Sequence, residues 1–93
     1  MKASEESRSY FHCRLRDIAK HLQNGGARVS ETMVKEIVKH EWGPRITITV
    51  GNKTKTIIKP SRAYTQSEMN EVTAEMEAWA STDLGLVFEE SAA

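Results

Sequence analysis

The sequence predicts an α+β domain in which helices pack on a small antiparallel sheet, in the order α-α-β-β-α. Three observations predict it. Apolar residues recur at helical spacing in two N-terminal stretches, the period changes to two after Arg45, and a capping box at Thr65 opens a long amphipathic C-terminal helix.

The first helical pattern runs from about Ser4 to Gln23, where Phe11, Leu15, Ile18 and Leu22 form one narrow stripe. Asn24-Gly25-Gly26 ends it. Ser30 is a natural N-cap for the second helix, with Glu31 in the first turn where the helix dipole favours a negative charge. Met33, Val34, Ile37 and Val38 supply its apolar face, and Gly43-Pro44 stops it.

From Arg45 onward Ile46, Ile48 and Val50 alternate with Thr47 and Thr49, the pattern of a half-buried strand. Gly51-Asn52 signals a turn, and Lys53 to Lys59 supplies a second β-leaning run halted by Pro60. The register that best separates the faces uses a loop of about three residues. It sets Ile46, Ile48, Val50 and Ile58 on one side and Thr47, Thr49, Lys55 and Lys59 on the other, leaving Ile57 on the polar face.

Thr65-Gln66-Ser67-Glu68 matches the capping box, and the helix continues through Met69, Val72, Met76, Trp79 and Ala80 to near Gly85. Residues 1–6 and 89–93 are expected to fray around one domain spanning 1–93.

A chain of 93 residues supports one hydrophobic core, and a core this small gains from association with a second copy. No stretch approaches the ~18 uninterrupted apolar residues of a membrane span, and the N-terminus carries no apolar leader. Cys13, the only cysteine, allows no internal disulfide, so the cytoplasm is the expected compartment.

The zero net charge conceals a division. Thirteen cations and six acids give residues 1–62 a charge of +7, whereas residues 63–93 hold seven acids and no cation. Such a split points to nucleic-acid or membrane contact by the basic part, or to two parts that neutralise each other in the fold.

Two stretches resemble the NinB (Orf) family of lambdoid phage recombination mediators. One is Ser7-Arg8-Ser9-Tyr10-Phe11, Leu15-Arg16-Asp17-Ile18-Ala19-Lys20 and Val29-Ser30-Glu31-Thr32-Met33-Val34-Lys35, similar to that family's pair of helices. The other is Pro60-Ser61-Arg62-Ala63-Tyr64-Thr65, Glu68-Met69, Ala78-Trp79-Ala80 and Leu84-Gly85-Leu86, similar to its hairpin exit and last helix. The chain thus resembles the C-terminal part of such proteins, without the strand-containing segment that longer members carry before the first helix. Val34 stands where the family tends to have a Trp. The resemblance implies a homodimer in the bacterial host cell that binds single-stranded DNA, meets the host single-strand-binding protein and helps to load a recombinase.

Single-strand binders pair a basic groove with planar side chains on which bases stack. The candidates are Arg8, Arg14, Arg16 and Lys20 on the first helix, Lys53, Lys55 and Lys59 on the hairpin, and Arg62 after it. Any one of these, alone, is more often a solvated surface charge. Eight on two adjoining elements make a joint case. Among aromatics, Tyr10, Trp42 and Tyr64 are free to stack, with Trp42 the first to test and packing on the hairpin its competing role, whereas Phe11 and Trp79 fall in apolar stripes and belong to the core.

His12, Cys13, His21 and His40 lack the spacing of a joint zinc site, and the acids outside the last helix contain no paired motif to hold magnesium. Glu41 falls on the apolar side of the second helix. There is no catalytic Ser/His/Asp spacing and no glycine-rich phosphate loop. No cofactor and no catalysis are therefore expected. The rival readings are an adaptor or inhibitor acting through the acidic last helix, and a metal-dependent nuclease.

Overall fold

Ser4, Ser30 and Thr65 start the three helices, because each hydroxyl accepts a hydrogen bond from an amide that the first helical turn leaves free. The amide of Ser7 donates to Ser4 Oγ at 3.1 Å, that of Met33 to Ser30 Oγ at 3.2 Å, and that of Glu68 to Thr65 Oγ1 at 3.1 Å. Glu68 Oε1 accepts in return from the Thr65 amide at 2.8 Å, completing the capping box. The computed structural model describes residues 2–88. Its elements are α1 (Glu5–Asn24), α2 (Glu31–Trp42), β1 (Arg45–Val50), β2 (Lys53–Ile58), a 3-10 turn (Ser61–Ala63) and α3 (Gln66–Asp83), in the predicted α-α-β-β-α order.

The core is built by the three helices and Tyr64. Phe11, Leu15, Ile18 and Ala19 of α1 meet Val34 and Val38 of α2 and Met69, Val72, Met76 and Ala80 of α3, with Tyr64 buried ahead of α3. Each pair of helices is in contact. Here the structure corrects the expected layering: the helices pack on one another and not on the sheet. The half-buried hairpin residues, Ile46, Ile57 and Ile58, lie at its base, and Val50 at its tip is 72% exposed. With strands of six residues each projecting from it, the molecule measures 49 × 32 × 19 Å. One side of the predicted α2 face, Met33 and Ile37, is left exposed at 54% and 47%.

The hairpin register is also corrected. Pairing runs from Arg45↔Ile58 to Val50↔Lys53, so the loop has two residues, Gly51 and Asn52. Gly51 takes φ +62° and Asn52 does not follow it to positive φ, as in a type II′ turn, whose twist matches that of the strands. Residues directly opposite share a face. Lys53, Lys55 and Ile57 therefore join Val50, Ile48 and Ile46, while Ile58 joins the threonines. With neither face buried, turn geometry and not hydrophobic separation sets the register. The threonine face carries two cross-strand contacts, Thr47–Thr56 at 3.3 Å and Thr49–Thr54 at 3.1 Å between hydroxyls.

Arg45 anchors the hairpin to α2. Its guanidinium donates to the carbonyls of Gly43 and His40, the latter at 2.6 Å, placing a cation where the helix C-terminus is negative. At Gly43 a Cβ would lie 2.5 Å from the Lys39 carbonyl oxygen and 3.0 Å from the Tyr64 hydroxyl, so only glycine fits there.

Both ends of the described chain return to the helices. The Ala3 amide donates to the Tyr64 carbonyl at 3.0 Å and the Ser4 amide to Gln66 Oε1 at 2.8 Å. Residues 2–6, expected to fray, are thus tied down or helical. After α3 the chain turns back, with the Leu86 amide bonded to the Ala80 carbonyl at 3.1 Å. His21 Nε2 lies 2.8 Å from the Leu84 carbonyl, which can only accept, so that nitrogen carries the proton. The expected fraying of 89–93 lies outside the described residues.

Candidate nucleic-acid interface

The sequence-predicted cations divide by what holds them. Arg14 faces α3: its Nε lies 3.0 Å from Glu77 Oε2, out of line for a hydrogen bond, and a further nitrogen lies 3.5 Å from Asp17. The guanidinium sits 4.8 Å from the Tyr10 ring centroid and 4.4 Å from that of Phe88, and only 12% of the side chain is exposed. The Tyr10 hydroxyl donates to the same Glu77 at 2.5 Å, which holds the phenol above its ordinary pKa. Lys59 is likewise engaged, its Nζ lying 2.6 Å from Glu68 Oε1. That bond, with the Thr65 amide, holds the Glu68 carboxyl below its usual range. Both pairs join the basic part of the chain to the acidic part, so some of the charge split is neutralised inside the fold.

Trp42 is not free to stack on a base. Its ring lies 5.6 Å from that of Trp79 at 54°, half-buried against the core, and its partner is α3 where the sequence suggested the hairpin. Tyr64 is fully buried with its hydroxyl unpaired among the described residues. Glu41, placed by periodicity on the apolar side of α2, is exposed.

Arg8, Arg16, Lys20, Lys53, Lys55 and Arg62 remain exposed. Of these, Arg16 makes a loose ion pair with Glu31 at 3.8 Å, and the others have no ion-pair partner among the described residues. Lys53 and Lys55 stand opposite Val50 and Ile48 on the projecting hairpin, all four exposed. Arg62 lies on the 3-10 turn at the hairpin's exit. Lys20 lines a separate depression with Asp17, His21 and Phe88.

The structure adds residues that sequence reasoning missed. Arg8, His12 and Arg16 recur every fourth residue on α1, as do Glu31, Lys35 and Lys39 on α2, so each set forms one row. The Arg16–Glu31 contact fixes how the rows meet, and stepping back four residues on α1 and forward four on α2 sets His12 against Lys35. Burial and then the positive charge of Lys35, with Arg8 and Arg16, push the His12 imidazole below its ordinary pKa, against the opposing pull of Glu31. Burial and then Lys39, with Arg8, lower Lys35. Arg8, Ser9 and His12, with Glu5, also line a shallow open depression. The signal for this seam was the shared four-residue step in two neighbouring helices, visible only once the helices are known to pack side by side.

Among the described residues no three His, Cys, Asp or Glu side chains come together to hold a metal, and no helix is long and apolar enough to cross a membrane. Protein-family models, curated proteins and solved structures were compared with the chain, and none matches it.

Proposed function

We propose that the protein binds single-stranded DNA without catalysing a reaction. In keeping with its resemblance to NinB proteins, its role is that of an accessory factor in phage recombination, acting as a homodimer that assists the loading of a recombinase. One observation carries the DNA-binding part: cations collect on the α1–α2 seam and on the hairpin, where Arg8, Lys35, Lys53 and Lys55 have no ion-pair partner among the described residues and Arg16 and Lys39 make only loose pairs with Glu31 at 3.8 Å and Glu36 at 3.6 Å, and in the seam they press on one another. A fold that holds like charges together gives up stability for a surface that attracts anions. The projecting hairpin adds exposed Ile48 and Val50 beside Lys55 and Lys53, a mixture of apolar surface and ammonium groups suited to unpaired bases on a charged backbone.

Fluorescence anisotropy of a labelled oligonucleotide at several salt concentrations tests this reading. Each phosphate neutralised on a single strand adds about −0.7 to the slope of log K against log salt, so a slope of −2 or steeper is expected. Binding without salt dependence, or none at all, overturns it and turns attention to the acids of α3 as an adaptor surface. Magnesium-dependent cleavage of the oligonucleotide would instead identify a nuclease.

A further inference from the structure

We propose that the α1–α2 seam is a phosphodiester-binding site that takes up a proton at His12 when a strand occupies it. The ligand class rests on the reading above, and the placement rests on geometry. Arg8 and Arg16 stand one helical turn on either side of His12 on α1, and the Arg16–Glu31 contact at 3.8 Å brings Glu31 and, one turn on, Lys35 of α2 against that row. The depression beside it is lined by Arg8, Ser9 and Glu5. Two guanidinium groups, an ammonium and a hydroxyl around one imidazole make a set of donors for phosphate oxygens. Glu31 and Glu5 are the carboxylates that oppose an anion there.

In the free seam His12 is neutral near pH 7, since burial and its cationic neighbours disfavour a further positive charge. A phosphate placed among these groups reverses that balance. Its negative charge offsets Lys35, Arg8 and Arg16, and the imidazolium gains an acceptor for its N–H. Binding is then linked to proton uptake, so affinity rises as pH falls through the interval between the bound and free His12 pKa values. One linked proton sets the limit at about tenfold per pH unit. Lys35 and the arginines remain charged throughout and supply the pH-independent part of the attraction. A tether to Arg16 makes Glu31 a competitor for the seam, so Glu31→Gln should tighten binding at every pH.

The test combines affinity with a direct reading of the ring. A labelled deoxythymidine oligonucleotide is titrated with wild type, His12→Gln and Lys35→Gln at pH 7.5 and 5.5, with circular dichroism to verify that each variant is folded. Wild type should bind about tenfold more tightly at pH 5.5, and His12→Gln by less than about twofold. Lys35→Gln should bind more weakly at both pH values. In parallel, NMR follows titration of the His12 ring alone, with oligonucleotide and with inorganic tripolyphosphate, and its midpoint should move upward with each. If the oligonucleotide binds but the His12 midpoint stays put and His12→Gln keeps the full pH dependence, the seam is overturned while DNA binding stands. If no oligonucleotide binds at either pH yet tripolyphosphate shifts His12, the DNA reading falls and the phosphate seam stands. A ring that moves with neither anion overturns the seam.

Discussion

The helical body and the hairpin solve the problem of a short chain in opposite ways. In the body the large apolar side chains of all three helical stripes meet in one core, with Met33 and Ile37 of α2 left outside it, and even the two ends of the described chain are bonded to helices. The hairpin buries no residue fully, and is held by its own ladder, by paired threonines and by the Arg45 anchor at its root. Such an isolated ribbon is marginal alone, so it persists because the body carries the stability. Packing specifies the body, whereas the hairpin is specified by its turn, which leaves its side chains available to meet something else.

Truncation should separate the two regions most sharply. Phe11→Ala is expected to cost about 3–5 kcal/mol because it empties a fully enclosed site, while Val50→Ala should stay within about 0.5 kcal/mol. Urea denaturation of both variants checks this, and a comparable loss at Val50 would show that the hairpin tip is covered in solution, as in a dimer.

At the junction of the regions, Gly43→Ala forces the chain away from the Lys39 carbonyl and should cost about 1–3 kcal/mol. Next in size is the link from hairpin to α3. Removing the Glu68 side chain takes away both its capping bond and its pair with Lys59, at about 1–2 kcal/mol. Because the folded state lowers the Glu68 pKa, that stability is present above the ordinary carboxyl range and is lost as pH falls through the lowered value. Glu68→Gln should therefore flatten the acid limb of the stability profile, a result that thermal melts between pH 2 and 6 would show.

Function should divide along a different line. Lys53→Gln with Lys55→Gln is expected to flatten the salt slope of oligonucleotide binding by about 1.4 and leave stability nearly unchanged. Lys59→Gln should do the reverse, lowering stability with little change in slope, since its ammonium already belongs to Glu68. An equal loss of slope at Lys59 would break the distinction between exposed and engaged cations. A change of opposite sign is expected at Tyr64→Phe. Its buried hydroxyl has no partner among the described residues, so stability should hold or rise by about 1 kcal/mol. The Tyr64 phenol is pushed up by burial and then by the charge of Glu68, so wild type should lose stability as pH climbs past 10, and the variant, which keeps only the raised Tyr10 phenol, should lose less.

The sequence by itself determined the element order, the helix starts and the core stripes, because these depend on neighbours three or four residues away. Ser30 and the Thr65–Glu68 box announce their helices without reference to the rest of the chain, as do Phe11, Leu15 and Ile18. It also exposed the charge division. Only the tertiary structure decided which cations are spent. Arg14 and Lys59 read as surface charges in the sequence, yet they meet Glu77 and Glu68, far along the chain in the first case and across a turn in the second. Trp42 was open to the same error, since Trp79 reaches it only when α2 and α3 pack. The seam lay hidden for the converse reason. His12, Lys35 and Lys39 are unremarkable in their own helices and become a site through the antiparallel alignment of α1 and α2, which electrostatics acting across space can read and local periodicity cannot.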